Sequence, residues 1–207
     1  MENRHSEVLV TLMADAMNRW LEHPEGKITE HICEAFGCDD ALDVARGPGN
    51  RVTGLRDLYQ RRLETVAEFV RPFEMRDRAN RPQYYLFFAS HHHKGYVKMK
   101  EAMWKVDPDT GCRFSDAADP LQLVLPLGAA VGQLASDLRR AFSGKGPVTG
   151  HVVREHIELE TPYLKKHMRA ALKDEEATGC LTVEPVQTDG RKRIRGTYPD
   201  MATLTWR

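Results

Sequence analysis

The chain has 207 residues, 41% of them hydrophobic and 29% charged, which is the composition of an ordinary globular protein. Thirty basic residues balance thirty acidic ones, so no whole-protein field steers the chain toward nucleic acid, and any basic surface must be local. No apolar run approaches the roughly 20 residues of a membrane span, and the four cysteines accompany no secretion signal. We therefore expect a cytoplasmic protein with free thiols and no membrane partner.

Hydrophobic spacing predicts three amphipathic helices in the first part of the chain, at 7–22, about 29–37 and 55–69. The stretch 39–54, rich in glycine, is predicted to be a loop. QYYLFFAS (83–90) is a continuous apolar and aromatic run, which indicates a buried strand. Helical spacing resumes from Tyr96, and VDPDTG ends that helix.

From residue 120 the predicted order changes. Three helices (roughly 127–142, 150–160 and 162–178) precede two strands (180–185 and about 196–206) that a basic turn joins. Thr161 and Pro162 are typical of a helix N-cap and first helical position. Asp189 and Gly190 predict a hairpin tip. Three helices with an appended hairpin are the order of a winged helix-turn-helix.

Ser90 and three consecutive histidines, His91, His92 and His93, follow the predicted strand. Neighbouring residues on a strand or a helix point in different directions, so three in a row cannot converge on one ion, and we expect no metal. Two interpretations remain open. The histidines form an ordinary strand-to-helix junction, or they line a cleft at the carboxyl end of the strand.

The stretch ALDVARGPGN (41–50) resembles the glycine loop of methyltransferases that bind S-adenosylmethionine. Only about 70 residues separate it from the winged-helix segment, too few for the further strand–helix units of such a sheet, so a surface turn is expected. Cys33 and Cys38 have no second pair to complete a zinc site. No catalytic residue can be assigned.

Basic residues near the C-terminus are the strongest candidates for binding. Lys165, Arg169 and Lys173 recur at helical spacing opposite an apolar face, with His167 beside them, and a basic turn follows. The candidate nucleic-acid contacts are Lys165, Lys166, Arg169, Lys173, Arg191, Lys192, Arg193 and Arg195. The acidic run 174–176 would repel phosphates at the end of the helix. The alternatives are nucleic acid, DNA ahead of RNA, and a charged surface that only solvates a protein-interaction domain.

Three stretches are similar to the C-terminal portion of the three-Cys-motif partner protein family: 7–24, 84–108, and the close from TPYLKKHMRAAL to GTYPDMATLTW. Phe88–His92 and Gly95–Trp104 match the family's most specific pattern. The resemblance implies a methyltransferase-like Rossmann part followed by a winged helix, and a three-cysteine, radical-type protein partner. S-adenosylmethionine is expected only in a completed family member.

The family's N-terminal strands and its aspartate-proline-tyrosine motif have no counterpart here. We therefore expect an α/β chain, mostly helical, with a partial Rossmann-like region over 1–119, mainly helices with one buried strand, and a winged helix-turn-helix over 120–207. The expected function is nucleic-acid binding without a cofactor and without complete catalysis. The alternatives are a methyltransferase-like enzyme that needs a missing N-terminal half, and an adaptor for the three-cysteine partner.

Overall fold

The computed structural model describes residues 6–21, 26–116 and 128–207. The chain divides into two compact units, one of Met1–Asp107 with Cys112–Gln122 and the other of Leu123–Arg207 with Pro108–Gly111. The described residues form eight helices and two small sheets, so the chain is mixed α/β. The predicted boundary between residues 119 and 120 lies outside the described residues.

The first unit is built on a four-stranded sheet in the order β1-β3-β2-β4. Its elements are β1 (Glu7–Leu12), α1 (Ala14–Trp20), α2 (Gly26–Phe36), α3 (Asp40–Arg46), α4 (Arg51–Glu64), β2 (Phe69–Arg76), β3 (Pro82–Ser90), α5 (His93–Val106) and β4 (Arg113–Ser115). Strand β3 is antiparallel to both of its neighbours, and β4 is parallel to β2. Strands β1, β2 and β4 therefore run in one direction, and β3 runs in the other.

Helices cover both faces of this sheet. Neighbouring side chains of β3 point to opposite faces, so they pack into two different cores. Tyr85 and Phe87 belong to a cluster with buried residues of α1 to α4. Phe88, between them and the end of the strand, packs instead with Tyr96 and Met103 of α5. The predicted strand at 83–90 and the helix around Tyr96 are thus confirmed, and the continuous apolar run reflects burial on two sides.

The predicted helix at 7–22 is wrong in its first half, which forms β1, with α1 starting at Ala14. Val8 pairs with Ala89 and Leu12 with Tyr85. The side chains at 8, 10 and 12 are more buried than those between them, which is the period of a strand. The prediction failed because 7–12 has apolar residues on both faces, a pattern that also fits a helix. The segment forms a strand because it pairs with β3, more than 70 residues away.

The predicted helix at 55–69 ends early, since α4 stops at Glu64 and β2 begins at Phe69. Pro72 lies inside β2, although proline is more typical of a helix end or a sheet edge. Strand β4 pairs only with 74–76, so β2 has no second described neighbour at Pro72, where the missing N–H is tolerated. The predicted loop at 39–54 is also wrong, because it contains α3 and the start of α4, whose N-cap Asn50 accepts a bond from the amide of Thr53 at 3.1 Å.

The second unit carries a three-stranded sheet in the order β5-β7-β6. Its elements are α6 (Gly128–Phe142), β5 (Val148–Thr149), α7 (Gly150–Glu160), α8 (Lys165–Ala177), β6 (Leu181–Val183) and β7 (Thr203–Trp206). The three predicted helices are present. Both predicted strands are present but shorter than predicted, since only 181–183 of 180–185 and 203–206 of 196–206 are strand. Thr161 and Pro162 do not begin α8, however. The Thr161 hydroxyl donates to the carbonyl of Ile157 at 2.8 Å, which closes α7, and α8 begins at Lys165, three residues after Pro162.

The core of the second unit draws on all three helices and the sheet. Leu138 of α6, Ile157 of α7, Leu172 of α8 and Leu204 of β7 are each 0% exposed. Burying side chains of this size stabilises a fold by about 1.5–3 kcal/mol each. This core fixes the side of α8 that faces inward, and therefore the side that faces solvent.

Candidate nucleic-acid interface

The solvent side of α8 presents a row of cations. Lys165, Lys166, Arg169 and Lys173 are all exposed, while Met168, Ala171 and Leu172 on the other side are buried. Residues four apart lie one above the other on a helix, so 165, 169 and 173 form one line about two turns long.

His167 was expected beside these cations, but it is only 2% exposed. Its Nδ1 accepts a hydrogen bond from the amide of Leu164 at 3.1 Å. The ring therefore accepts a hydrogen bond from a backbone N–H at the start of α8, which the helix itself does not pair, and does not belong to the charged surface.

An ion pair holds α8 against α6. Glu175 is 3% exposed, and Arg139 donates to its two carboxylate oxygens, from Nη2 at 2.5 Å and Nε at 3.3 Å. Hydrogen bonding to this carboxylate raises the pKa of Arg139. A two-pronged contact of this kind fixes orientation as well as distance.

The segment between β6 and β7, residues 184–202, folds back on itself and is called here the β6–β7 segment. Asp189 and Gly190 form its tip as predicted, with Gly190 at φ +82° and the Asp189 carboxylate accepting from the amide of Arg191. Val186 and Lys192 make an isolated antiparallel bridge. Arg191, Lys192 and Arg195 are exposed.

Arg193 is different, because its side chain is only 6% exposed. Its guanidinium donates to both carboxylate oxygens of Glu176 and lies 5.6 Å from the centre of the Tyr198 ring. The Tyr198 hydroxyl donates to the same carboxylate at 2.7 Å. These bonds lower the pKa of Glu176, and burial together with Glu176 raises the pKa of Tyr198. Of the eight candidate contacts, the structure brings seven to the surface and places Arg193 in an anchor for the β6–β7 segment.

A groove of about 610 Å³ joins α8 to the β6–β7 segment. Its lining consists of Lys165, Lys166, Met168, Arg169, Thr197, Tyr198 and Pro199. The N-terminal half of α8 thus contributes three cations to one side of a concave surface. Residues 197–199 lie in irregular backbone, whereas the sequence predicted them to be the start of the strand at 196–206, so their place in this groove was not predicted.

A second anchor fixes the β6–β7 segment to α7. Arg154 donates to both carboxylate oxygens of Asp200, at 3.0 and 2.8 Å, and this bonding lowers the pKa of Asp200. The amide of Gly150 donates to the carbonyl of Ala202. A Cβ at position 150 would lie 2.1 Å from the carbonyl oxygen of Pro199, so only glycine fits this close approach.

These contacts lower the unpaired negative charge that the acidic run at the end of α8 exposes. The carboxylates of Glu175 and Glu176 are each paired with an arginine, and only Asp174 is exposed. The expected repulsion of phosphates by all three residues is therefore reduced to one exposed carboxylate.

The histidine triplet lies in the first unit, at the start of α5, with His92 as the N-cap. Ser90 is fully buried, donates to Glu7 at 3.4 Å and accepts from the amide of His92 at 2.8 Å. Strand β3 runs against its neighbours, so its carboxyl end meets the amino ends of β1 and β2, where Ser90 pairs with Glu7 and Phe69. The rule that places clefts at carboxyl ends of parallel strands does not apply to this edge.

The remaining sequence motifs can also be located. All four cysteines are free thiols, and burial raises the pKa of Cys33. The glycines at 47–49 follow helix α3 rather than a strand. Across residues 6–21, 26–116 and 128–207, no three histidine, cysteine or acidic side chains come together as a metal site would require. No helix in those ranges is long and apolar enough to cross a membrane.

No family model, curated protein or solved structure matches this chain. The geometry of the second unit therefore carries the functional argument by itself.

Proposed function

We propose that the second unit is a winged helix-turn-helix that binds duplex nucleic acid, DNA ahead of RNA, with α8 as the recognition helix and the β6–β7 segment as the wing. The order helix, strand, helix, helix, strand, strand supports this assignment. One observation carries the binding proposal. Three exposed cations of α8, Lys165, Lys166 and Arg169, line a groove that residues 197–199 of the β6–β7 segment complete, while the acidic neighbours at 175 and 176 are paired with arginines.

Two anchors favour a surface that is fixed before binding. Glu176 holds Arg193 and Tyr198 to α8, and Arg154 holds Asp200 to α7. A preorganised surface loses less conformational entropy on binding than a loose one. The wing cations at 191, 192 and 195 are thereby kept at a defined position relative to α8.

The test is the salt dependence of binding to a duplex. Each phosphate contact contributes about 0.9 to the slope of log K against log salt concentration. Changing Lys165 and Arg169 together to alanine should therefore reduce the slope by about 1.8 and weaken binding to all sequences alike. The matched control removes two exposed cations of the first unit, Arg61 and Lys105, and should leave the slope unchanged.

Absence of any retardation of duplex DNA or RNA by the wild-type chain at low salt would contradict the proposal. The basic row on α8 would then be a solvated surface, and an adaptor that binds protein would take its place.

The first unit favours a second candidate, a methyltransferase-like sheet that further strands complete. Three of its four strands run in one direction, helices cover both faces, and β1 pairs with β3 alone among the described strands. Mixed sheets are common among doubly wound folds, and β3, which is internal, is the one reversed strand among those described. The unpaired side of β1 offers the backbone groups to which another strand would bond.

On this proposal the chain alone does not bind S-adenosylmethionine, because the glycines at 47–49 follow a helix instead of the buried strand that a cofactor loop needs. Titration calorimetry should show no heat of binding. Micromolar binding that disappears when Gly47 and Gly49 are replaced by bulky residues would contradict this expectation.

A further inference from the structure

Ile194 is the most exposed of the large hydrophobic side chains in the described part of the chain, at 76%. It stands between Arg193 and Arg195 in the run RKRIRG of the β6–β7 segment. Isolated apolar residues on a surface are common and need no function of their own. The way in which this one is held is what distinguishes it.

The backbone around Ile194 is fixed on both sides. Its carbonyl accepts hydrogen bonds from the amide of Thr197 at 3.0 Å and from the Thr197 hydroxyl at 2.6 Å. The amide of Arg193 donates to the carbonyl of Pro185 at 2.8 Å, and the Arg193 side chain is bound to Glu176. Gly196, at φ +73°, makes the turn that follows. These bonds fix the backbone at Ile194 in the conformation that leaves its side chain 76% exposed.

The surroundings of the side chain define the chemistry of its partner. Arg191, Lys192 and Arg195 are exposed in the same segment, so the partner carries dense negative charge around an apolar gap. The minor groove of duplex DNA offers both, since phosphates line its edges and stacked bases lie at its floor. An anionic membrane surface also combines charge with an apolar layer, but binding there requires a broad apolar face or a second anchor.

We propose that Ile194 inserts between base pairs from the minor groove and bends the bound duplex. The inference rests on the proposed function, because α8 and the wing cations bring the duplex to the isoleucine. Apolar wedges of this kind partly unstack one base step and kink the helix toward the major groove. Pyrimidine–purine steps such as TA unstack most easily, so the favoured site contains one at the wedge.

The experiment uses the full chain and duplexes that carry 2-aminopurine at a central TA step and a dye at each end. Wild-type protein should raise 2-aminopurine fluorescence, which reports unstacking, and shorten the distance between the dyes. Ile194→Ser should lose both signals while the salt slope of binding stays unchanged. Ile194→Leu should keep both signals. Val152→Ser, at an apolar residue of α7 that is 42% exposed, is the matched control and should behave as wild type.

Each result separates the wedge from the binding proposal. Binding by wild-type protein without unstacking, or unstacking that survives in Ile194→Ser, overturns the wedge and leaves the winged-helix proposal in place. Failure of the wild-type chain to bind any duplex overturns both. Sedimentation with phosphatidylserine vesicles that depends on Ile194, without unstacking of DNA, overturns the wedge in favour of a membrane partner.

Discussion

Replacing Glu176 with alanine tests the anchor between α8 and the β6–β7 segment. An exposed ion pair contributes about 0–1 kcal/mol to stability, whereas breaking a buried one costs about 3–5 kcal/mol. The side chains of Arg193 and Glu176 are 6% and 19% exposed, so the pair is largely shielded from water. The alanine variant also loses the hydrogen bond from Tyr198. We therefore expect the free energy of unfolding to fall by about 2–4 kcal/mol, which lowers the melting temperature of a unit this size by at least about 8 °C.

A double-mutant cycle measures the pair itself. Glu176→Ala, Arg193→Ala and the double variant are compared by calorimetric unfolding, and a coupling of at least about 1 kcal/mol is expected for residues in direct contact. Asp174→Ala, at the exposed neighbour on the same helix, should change stability by less than about 0.5 kcal/mol. If the two single effects simply add, the reasoning from burial and geometry is refuted, and Arg193 is available to contact phosphate after all.

Three further outcomes are expected. Gly150→Ala should destabilise the protein by about 1–3 kcal/mol, since its Cβ would meet a backbone oxygen at 2.1 Å, whereas Gly132→Ala in α6, with no atom within 4 Å, should stabilise it by about 0.5–1 kcal/mol in urea unfolding. Leu172→Ala should cost about 2–5 kcal/mol, and its loss of duplex binding in a temperature series should follow its melting curve. The folded-state pKa values of Glu176 and Asp200 are lowered, so the stability that these groups contribute is fully present above the unfolded-state pKa of about 4 and is lost as pH falls through the folded-state pKa. Melting temperatures at pH 7 and pH 3 should therefore differ less in Glu176→Gln than in wild type.

The helices of the second unit could be predicted from sequence because their periodicity is local. The apolar face of α8 with Met168 and Leu172 repeats at helical spacing, and the same spacing placed Lys165 and Arg169 outside. Its start was misplaced because Thr161 bonds backward to α7, a choice that a threonine–proline pair does not reveal.

The first unit could be predicted less well, because its strands pair across long stretches of chain. In this unit only β3, buried on both faces, had a composition that favoured a strand over a helix. β1 and β2 have apolar residues that fit the period of a helix or of a strand. Pro72 also favoured a helix end. It is tolerated inside β2 because β4 pairs only with 74–76, so most of that side of β2 lacks a described neighbour.

The candidate site divides in the same way. Exposure of the cations on α8 follows from the helical period alone. Burial of Arg193 depends on Glu176, 17 residues away, and burial of His167 depends on the amide of Leu164. Both are tertiary contacts between residues whose types are usually found at the surface.

Strand β3 pairs with β2, which is close to it in sequence, and with β1, which is far from it, and this difference matters during synthesis. β2 and β3 are joined by the short turn at 77–81 and are paired in register, so they can form a hairpin as soon as both have left the ribosome. β1 ends at residue 12 and β3 at residue 90, so at about 5–20 residues per second β1 waits on the order of 4–16 s for its partner. Strand β1 therefore waits longer for β3 than β2 does, and nascent chains stopped before residue 82 should carry β1 without this partner, as an edge that binds chaperones.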